Sequence, residues 1–168
     1  MRFPQRKRIR LQGYDYSREG AYFITLCTHT SISLFGKVRN EKVELNKNGI
    51  IVRNSWFEIK SLYPSIQFDE FVLMPNHFHA ILFLVGAGSP GPEDSKANST
   101  VSSVIAHFKY LTTRKINSFH NVPGVKRWQR SFYERVIRNE EELLKAREYI
   151  QHNPLKWSID NSPTTFDN

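Results

Sequence analysis

The stretch Met74-Pro75-Asn76-His77-Phe78-His79-Ala80-Ile81-Leu82-Phe83-Leu84-Val85 decides how this 168-residue chain is read. From Phe78 onward every residue but His79 is apolar, and a short run apolar on both faces marks a strand buried in the middle of a sheet. Pro75-Asn76 reads as a tight turn, with Phe68 to Met74 as the strand leading into it. Residues two apart on a strand share a face, so His77 and His79 project together with their Cα atoms about 6–7 Å apart, while Phe78 points into the opposite layer. That bite suits two ligands on one divalent ion. The competing reading is a pair of hydrogen-bonded surface histidines. Two polar rings opening an apolar strand have no packing reason to be there, and histidine is the commonest metal ligand.

Working outward, Ala21 to Thr30 is rich in aromatic and β-branched residues and predicts a buried strand. Lys37 to Leu45 alternates more weakly and reads as one strand after a Phe35-Gly36 turn. Asn46 to Leu62 has loose helical spacing and ends before Pro64. Gly86 to Ser99 breaks the pattern and is expected to be a flexible connection. A helix follows over Val101 to Ser118, with Val101, Val104, Ile105, Phe108, Leu111 and Ile116 on one side. Asn121 to Arg130 is a basic, turn-rich loop, and Phe132 to Ile137 reads as a short strand. The last helix has Asn139 as its N-cap and Glu142 at capping-box spacing, and Pro154 is expected to stop it near His152 or Asn153. This order predicts an α+β fold, an antiparallel sheet carrying helices, in a single domain over 1–168. A basic arm (1–12) precedes the body and a short tail (158–168) follows it.

The net charge is +8 and unevenly placed. Met1 to Arg10 carries +5, Val101 to Arg138 carries +7, and the rest of the chain sums to −4. Two basic blocks on a mildly acidic body are the footprint of a polyanion partner, against the plainer reading of a solvated basic surface. The candidates for phosphate contact are Arg6, Lys7, Arg8 and Arg10 in the arm, Lys109, Arg114 and Lys115 in the helix, and Lys126, Arg127 and Arg130 in the loop. Phe108, Tyr110, Phe119, Trp128, Phe132 and Tyr133 lie among these charges, a combination suited to single strands, where aromatic faces stack unpaired bases. The single cysteine, Cys27, excludes an internal disulfide framework and a Cys-cluster zinc site. The longest apolar run, Ala80 to Val85, is six residues against the ~20 of a membrane span. With no secretory leader in the first ten residues, a cytoplasmic protein without membrane partners is expected.

Tyr149 is the second chemical candidate. The apolar stripe of the last helix runs Leu143, Ala146, Ile150, and Tyr149 lies off it with Glu142, Lys145, His152 and Asn153. The plainer reading is an amphipathic surface tyrosine. If this side faces the histidine pair, the Asn153 amide oxygen, one turn on, adds a third ligand beside a phenol. A phenol of pKa ~10 is a poor nucleophile at neutral pH. It can attack a phosphodiester when a divalent cation neutralises the phosphate oxygens. Two imidazoles and one carbonyl oxygen leave open positions, compatible with Mg²⁺ or Mn²⁺ in use.

Three segments carry a family resemblance. Met74-Pro75-Asn76-His77-Phe78-His79-Ala80-Ile81-Leu82 resembles the His-hydrophobe-His signature of the single-tyrosine HUH transposases. Trp128 to Arg138 (Trp-Gln-Arg-Ser-Phe-Tyr-Glu-Arg-Val-Ile-Arg) and Tyr149-Ile150 with Asn153-Pro154 are similar to the REP-associated tyrosine transposase branch. Ile105 to Tyr110 and Thr113 to Asn117 are similar to that branch's middle helix. The resemblance covers roughly Tyr22 to Trp157. It implies a ferredoxin-like, or RRM-like, α+β fold with the histidines on a central strand. It also implies cleavage and rejoining of single-stranded DNA at hairpin-forming repeats through a 5′-phosphotyrosine, with a divalent metal. By position His77 and His79 match the paired ligands, Asn153 the third ligand and Tyr149 the nucleophile, with Tyr133 a rival by residue type. The hairpin contacts are expected to rest on the N-terminal arm and the middle helix, in a monomer or a homodimer.

The alternatives from other classes are a hairpin DNA- or RNA-binding module without cleavage, and a phosphodiesterase using metal-activated water. Metal binding by neutral imidazoles predicts activity falling below about pH 6, near the ordinary histidine pKa of ~6.5.

Overall fold

A computed structural model describes residues 19–85 and 100–160. The basic arm with Arg6, Lys7, Arg8 and Arg10, the 86–99 connection and residues 161–168 lie outside the described residues.

Strand β1 (Gly20–Cys27) is followed by a hairpin of β2 (Gly36–Arg39) and β3 (Lys42–Leu45), helix α1 (Lys47–Leu62), strands β4 (Ile66–Leu73) and β5 (His77–Leu84), helix α2 (Val101–His120), strand β6 (Tyr133–Ile137) and helix α3 (Glu140–Asp160). The main sheet has the order β4-β5-β1-β6 and is antiparallel throughout. Setting the small hairpin aside, this is the split βαβ arrangement of a ferredoxin-like sheet. The histidines therefore stand on an interior strand, as the apolar run predicts.

Strand alternation divides the side chains between two layers. Tyr22, Ile24, Leu26, Phe78, Ala80 and Leu82 pack with Trp56 of α1 and with Val104, Ile105 and Phe108 of α2. Trp56 is the centre of this layer, its ring 4.8 Å from Phe78 and 5.0 Å from Phe108. Truncating so large a buried ring typically costs about 3–5 kcal/mol. On the other face Ala21, Ile81 and Ile137 pack against Leu143, Ala146 and Ile150 of α3. His77 and His79 share that second face, so α3 is the helix they meet.

Side-chain caps fix where the helices begin. Asn46 Oδ1 accepts from the Gly49 amide, Thr100 Oγ1 from Ser103, and Asn139 Oδ1 from Glu142 at 2.8 Å. Glu142 reaches back to the amide of Arg138, one residue beyond the usual capping-box partner.

Two expectations are corrected. Lys37 to Leu45 is not one strand but a hairpin, because Asn40 and Glu41 both take positive φ (47° and 59°) and turn the chain between β2 and β3. Two consecutive positive-φ residues make the two-residue turn whose twist matches paired strands, and asparagine enters that region easily. Pro154 does not stop the last helix, which continues to Asp160 and takes in the first residues of the expected tail. A proline removes one backbone donor and crowds the preceding turn. Ile150 and Asn153, buried on either side of that turn, hold the helix to the sheet through it.

Candidate functional site

The antiparallel register sets Cys27 opposite His77 and Thr25 opposite His79. The two imidazoles stand with centroids 4.7 Å apart. Each ring is anchored through Nδ1, which lies 2.7 Å from Asn76 Oδ1 in His77 and 2.8 Å from Thr25 Oγ1 in His79. Anchoring at Nδ1 leaves Nε2 to face a ligand, as in histidines whose far nitrogen is held by a neighbouring side chain so that the near one meets a metal.

Helix α3 supplies the rest. Asn153 continues the buried line of Leu143, Ala146 and Ile150, with 5% of its surface exposed, and is not on the open side with Tyr149. Its Oδ1 stands 3.2 Å from His77 Nε2. Tyr149 flanks that line at 42% exposure, its ring 5.3 Å from His79 and 5.9 Å from Phe23. Because α3 runs past Pro154, Trp157 comes within 5.8 Å of His77, and Lys156 lies 5.6 Å over the Tyr149 ring. Arg147 Nε donates to Asp69 Oδ2 at 2.9 Å, tying this helix to the β4 bulge between Phe68 and Phe71. Beside Tyr149 a hollow of about 340 Å³ is lined by Phe23, Arg135, Lys145 and Ala146.

The rival tyrosine stands on the edge strand β6. Tyr133 pairs with Thr25, which pairs with His79, so two strand spacings, about 10 Å, separate the Tyr133 and His79 backbones.

Burial, reinforced by the neighbouring His77, lowers His79 to about 3, with a hydrogen bond to the Ile24 backbone acting the other way. Burial likewise lowers His77, against the opposing hydrogen bond to Asn153. Both rings therefore stay neutral below the ordinary histidine value.

These residues fit a divalent ion. Among the described residues no group of three or more His, Cys, Asp or Glu could hold a metal, and the donors here are two imidazoles and an amide oxygen. His77 Nε2 and Asn153 Oδ1 stand 3.2 Å apart, within hydrogen-bond reach of each other and both able to turn a lone pair to a cation. Adjacent ligands of an octahedral ion with bonds of ~2.1 Å stand about 3.0 Å apart.

The basic candidates divide into two groups. Lys109, Arg114, Lys126, Arg127 and Arg130 line one groove of about 700 Å³ between α2 and the 121–130 loop, and among the described residues no acidic side chain lines it. Lys115 is not with them, since it forms an ion pair with Glu58 of α1. Within the groove, Lys109 Nζ donates to the carbonyls of Gln129 and Arg130, and Arg127 Nε to Asn117 Oδ1, so both shape the loop. Arg114 lies 5.9 Å over Tyr110, which is 62% exposed. Trp128 is buried and hydrogen-bonded to Thr112. Gln129 N donates to Cys27 O, and Thr28 N to Asn76 O. The loop is thereby stitched to the sheet end that carries His77.

Sequence reasoning missed Thr25, Asn76, Trp157 and Lys156. The first two needed the β1–β5 register and the turn geometry, and the last two needed a helix running through Pro154.

No protein-family model matches the chain. An uncharacterised protein of Haemophilus influenzae is 35% identical over 170 residues, spanning 92% of this chain and 91% of its own. The two chains belong to one family. Among solved structures, a REP-associated tyrosine transposase bound to a REP hairpin superposes with a TM-score of 0.60 at 22% identity, over 88% of this chain and 74% of that one. The chain thus has the fold of a REP-associated tyrosine transposase, the antiparallel α+β sheet expected from its sequence. Within this transposase fold, the histidine pair and Tyr149 share the α3 face. Among the described residues no helix is long and apolar enough to cross a membrane.

Proposed function

We propose that this protein is a metal-dependent single-stranded DNA endonuclease and strand transferase that acts at hairpin-forming repeats through a 5′-phosphotyrosine on Tyr149. The observation that carries the reading is the contact of the Tyr149 ring with His79, at 5.3 Å, beside the paired side chains of His77 and Asn153. The transposase that shares this fold was solved with a REP hairpin, which supports hairpin DNA as the substrate class.

His77, His79 and Asn153 hold the divalent ion, Mg²⁺ or Mn²⁺, which when bound neutralises the non-bridging phosphate oxygens and polarises phosphorus. Thr25 and Asn76 fix the imidazole rings. Tyr149 Oη attacks phosphorus, a tyrosyl O–P bond forms, and the bond from phosphorus to the 3′ oxygen breaks. The phenolic proton is released and the departing 3′ oxygen takes one up, so the step balances. The phosphotyrosine ester conserves the bond for rejoining when a 3′-hydroxyl attacks it. Arg135 and Lys145, lining the hollow beside Tyr149, face the charge of the flanking backbone. The groove between α2 and the 121–130 loop receives unpaired strand, with phosphates on Arg114, Lys126 and Arg130 and a base on Tyr110.

The test is incubation of purified protein with end-labelled hairpin DNA, with Mn²⁺ or with chelator, resolved on denaturing protein gels. A metal-dependent, protease-sensitive shifted band supports the proposal. Tight binding without that band leaves a hairpin-binding module, and free 5′-phosphate ends without it point to water as the nucleophile.

A further inference from the structure

Asn76 belongs to the two-residue turn that precedes β5, and both ends of its amide are engaged. Asn76 Nδ2 donates to the carbonyl of Ser31 at 3.0 Å, and Oδ1 lies 2.7 Å from His77 Nδ1. A carbonyl oxygen only accepts, so the amide nitrogen must face Ser31 and the amide oxygen must face His77. That oxygen carries no hydrogen, so the proton between it and the ring belongs to Nδ1. A neutral imidazole has one N–H, which leaves a lone pair on Nε2, 3.2 Å from the Asn153 amide, whose NH₂ no other contact holds among the described residues and which can turn to donate to it when no metal is bound.

The residues behind Asn76 are themselves held. Ser31 has a positive φ of 58°, and its amide donates to Thr28 O at 3.2 Å. Thr28 Oγ1 donates to Ile32 O, and the Thr28 amide donates to Asn76 O at 2.9 Å. The loop after β1 therefore grips Asn76 at its backbone and at its side chain. Left-handed backbone at a serine is unfavourable and persists only where its surroundings fix it. Here it turns the Ser31 carbonyl toward the amide.

From this relay we infer that Asn76 is a positioning residue that locks His77 in the Nδ1–H tautomer and turns its Nε2 lone pair into the site. The inference rests on the proposed metal centre for its purpose, but the tautomer is observable without metal. The opposite tautomer would set two acceptors against each other at Asn76, so the amide selects against it. Outer-shell partners of this kind orient metal-binding histidines and raise their basicity.

The test uses the full chain, ¹⁵N-labelled and in chelator at about pH 8, above the ordinary histidine value of ~6.5. Long-range proton–nitrogen correlation of the imidazoles identifies the protonated nitrogen. Wild type is expected to show Nδ1–H at His77. Asn76→Ala is expected to move the proton to Nε2, where Asn153 Oδ1 accepts it. Asn76→Asp keeps an acceptor toward Nδ1 but gives up the donor to Ser31, and is expected to keep Nδ1–H, which separates the oxygen's role from the hold on the turn. In calorimetric titration with Mn²⁺, Asn76→Ala is expected to bind about 10–100-fold more weakly, and Asn76→Asp close to wild type. An Nε2–H pattern in wild type, or an unchanged tautomer in Asn76→Ala, overturns the inference. Failure of the wild type to bind Mn²⁺ counts against the proposed function, and the tautomer spectra still decide the role of Asn76.

Discussion

His77 Nε2 and Asn153 Oδ1 face each other at 3.2 Å from a strand and a helix 76 residues apart in sequence. That contact is a hydrogen bond in the metal-free protein, and a cation placed between the two atoms would take both as ligands in its stead. Asn153→Leu removes one acceptor and keeps the shape. Mn²⁺ binding should weaken by at least the ~10–100-fold that outer-shell changes cost. The metal-free protein should melt lower than wild type, since the apolar replacement leaves His77 Nε2 half-buried without its hydrogen-bond partner, a loss of about 1–3 kcal/mol. Calorimetric titration and thermal melts in chelator check the two halves separately.

The pH dependence of stability follows from burial. His79 is lowered from 6.5 to about 3 in the folded protein. Between those values the unfolded chain binds a proton that the folded chain does not, so stability is full above 6.5 and is lost as the pH falls toward 3. One such group contributes a slope of at most about 1.4 kcal/mol per pH unit. His77, also lowered, adds in the same direction. Urea unfolding in chelator between about pH 7 and pH 5 should show this loss, and His79→Gln should flatten it. An equal slope in that variant would remove His79 as its source.

DNA binding should distinguish lysines and arginines of equal formal charge. Arg114 and Arg130 line the groove, whereas Lys115 pairs with Glu58. A cation that neutralises one phosphate of a single strand adds about 0.7 to the salt slope of log affinity. Arg114→Ala and Arg130→Ala should each reduce the slope by about that amount, and Lys115→Ala should leave it unchanged. Fluorescence anisotropy across a salt series makes the comparison.

Much of this is legible in the sequence because strand periodicity is rigid. Two histidines flanking Phe78 must share a face, and an apolar run must be interior, so the central strand and the shared face of the two imidazoles follow from one segment. Helix faces are harder to read. Asn153 is polar and so groups with the exposed side of α3, although its spacing from Ile150 continues the buried stripe. Pro154 reads as a stop by its local chemistry, and packing against the sheet outweighs it. A helix ended there hides Lys156 and Trp157. Thr25 and Asn76 carry no signal of their own, because their meaning lies in register and in a hydrogen bond to Ser31. Lys115 looks equivalent to Arg114 because its partner, Glu58, is 57 residues away.

The Tyr149 ring lies 5.3 Å from His79, and the Tyr133 backbone stands about two strand spacings from His79 on the same face. The most direct measurement is mass spectrometry of the peptides left after nuclease and trypsin treatment of protein incubated with hairpin DNA and Mn²⁺. The account predicts a nucleotide mass on the Tyr149 peptide, absent in chelator and in Tyr149→Phe. A nucleotide mass on the Tyr133 peptide, or an adduct that persists in Tyr149→Phe, would contradict it.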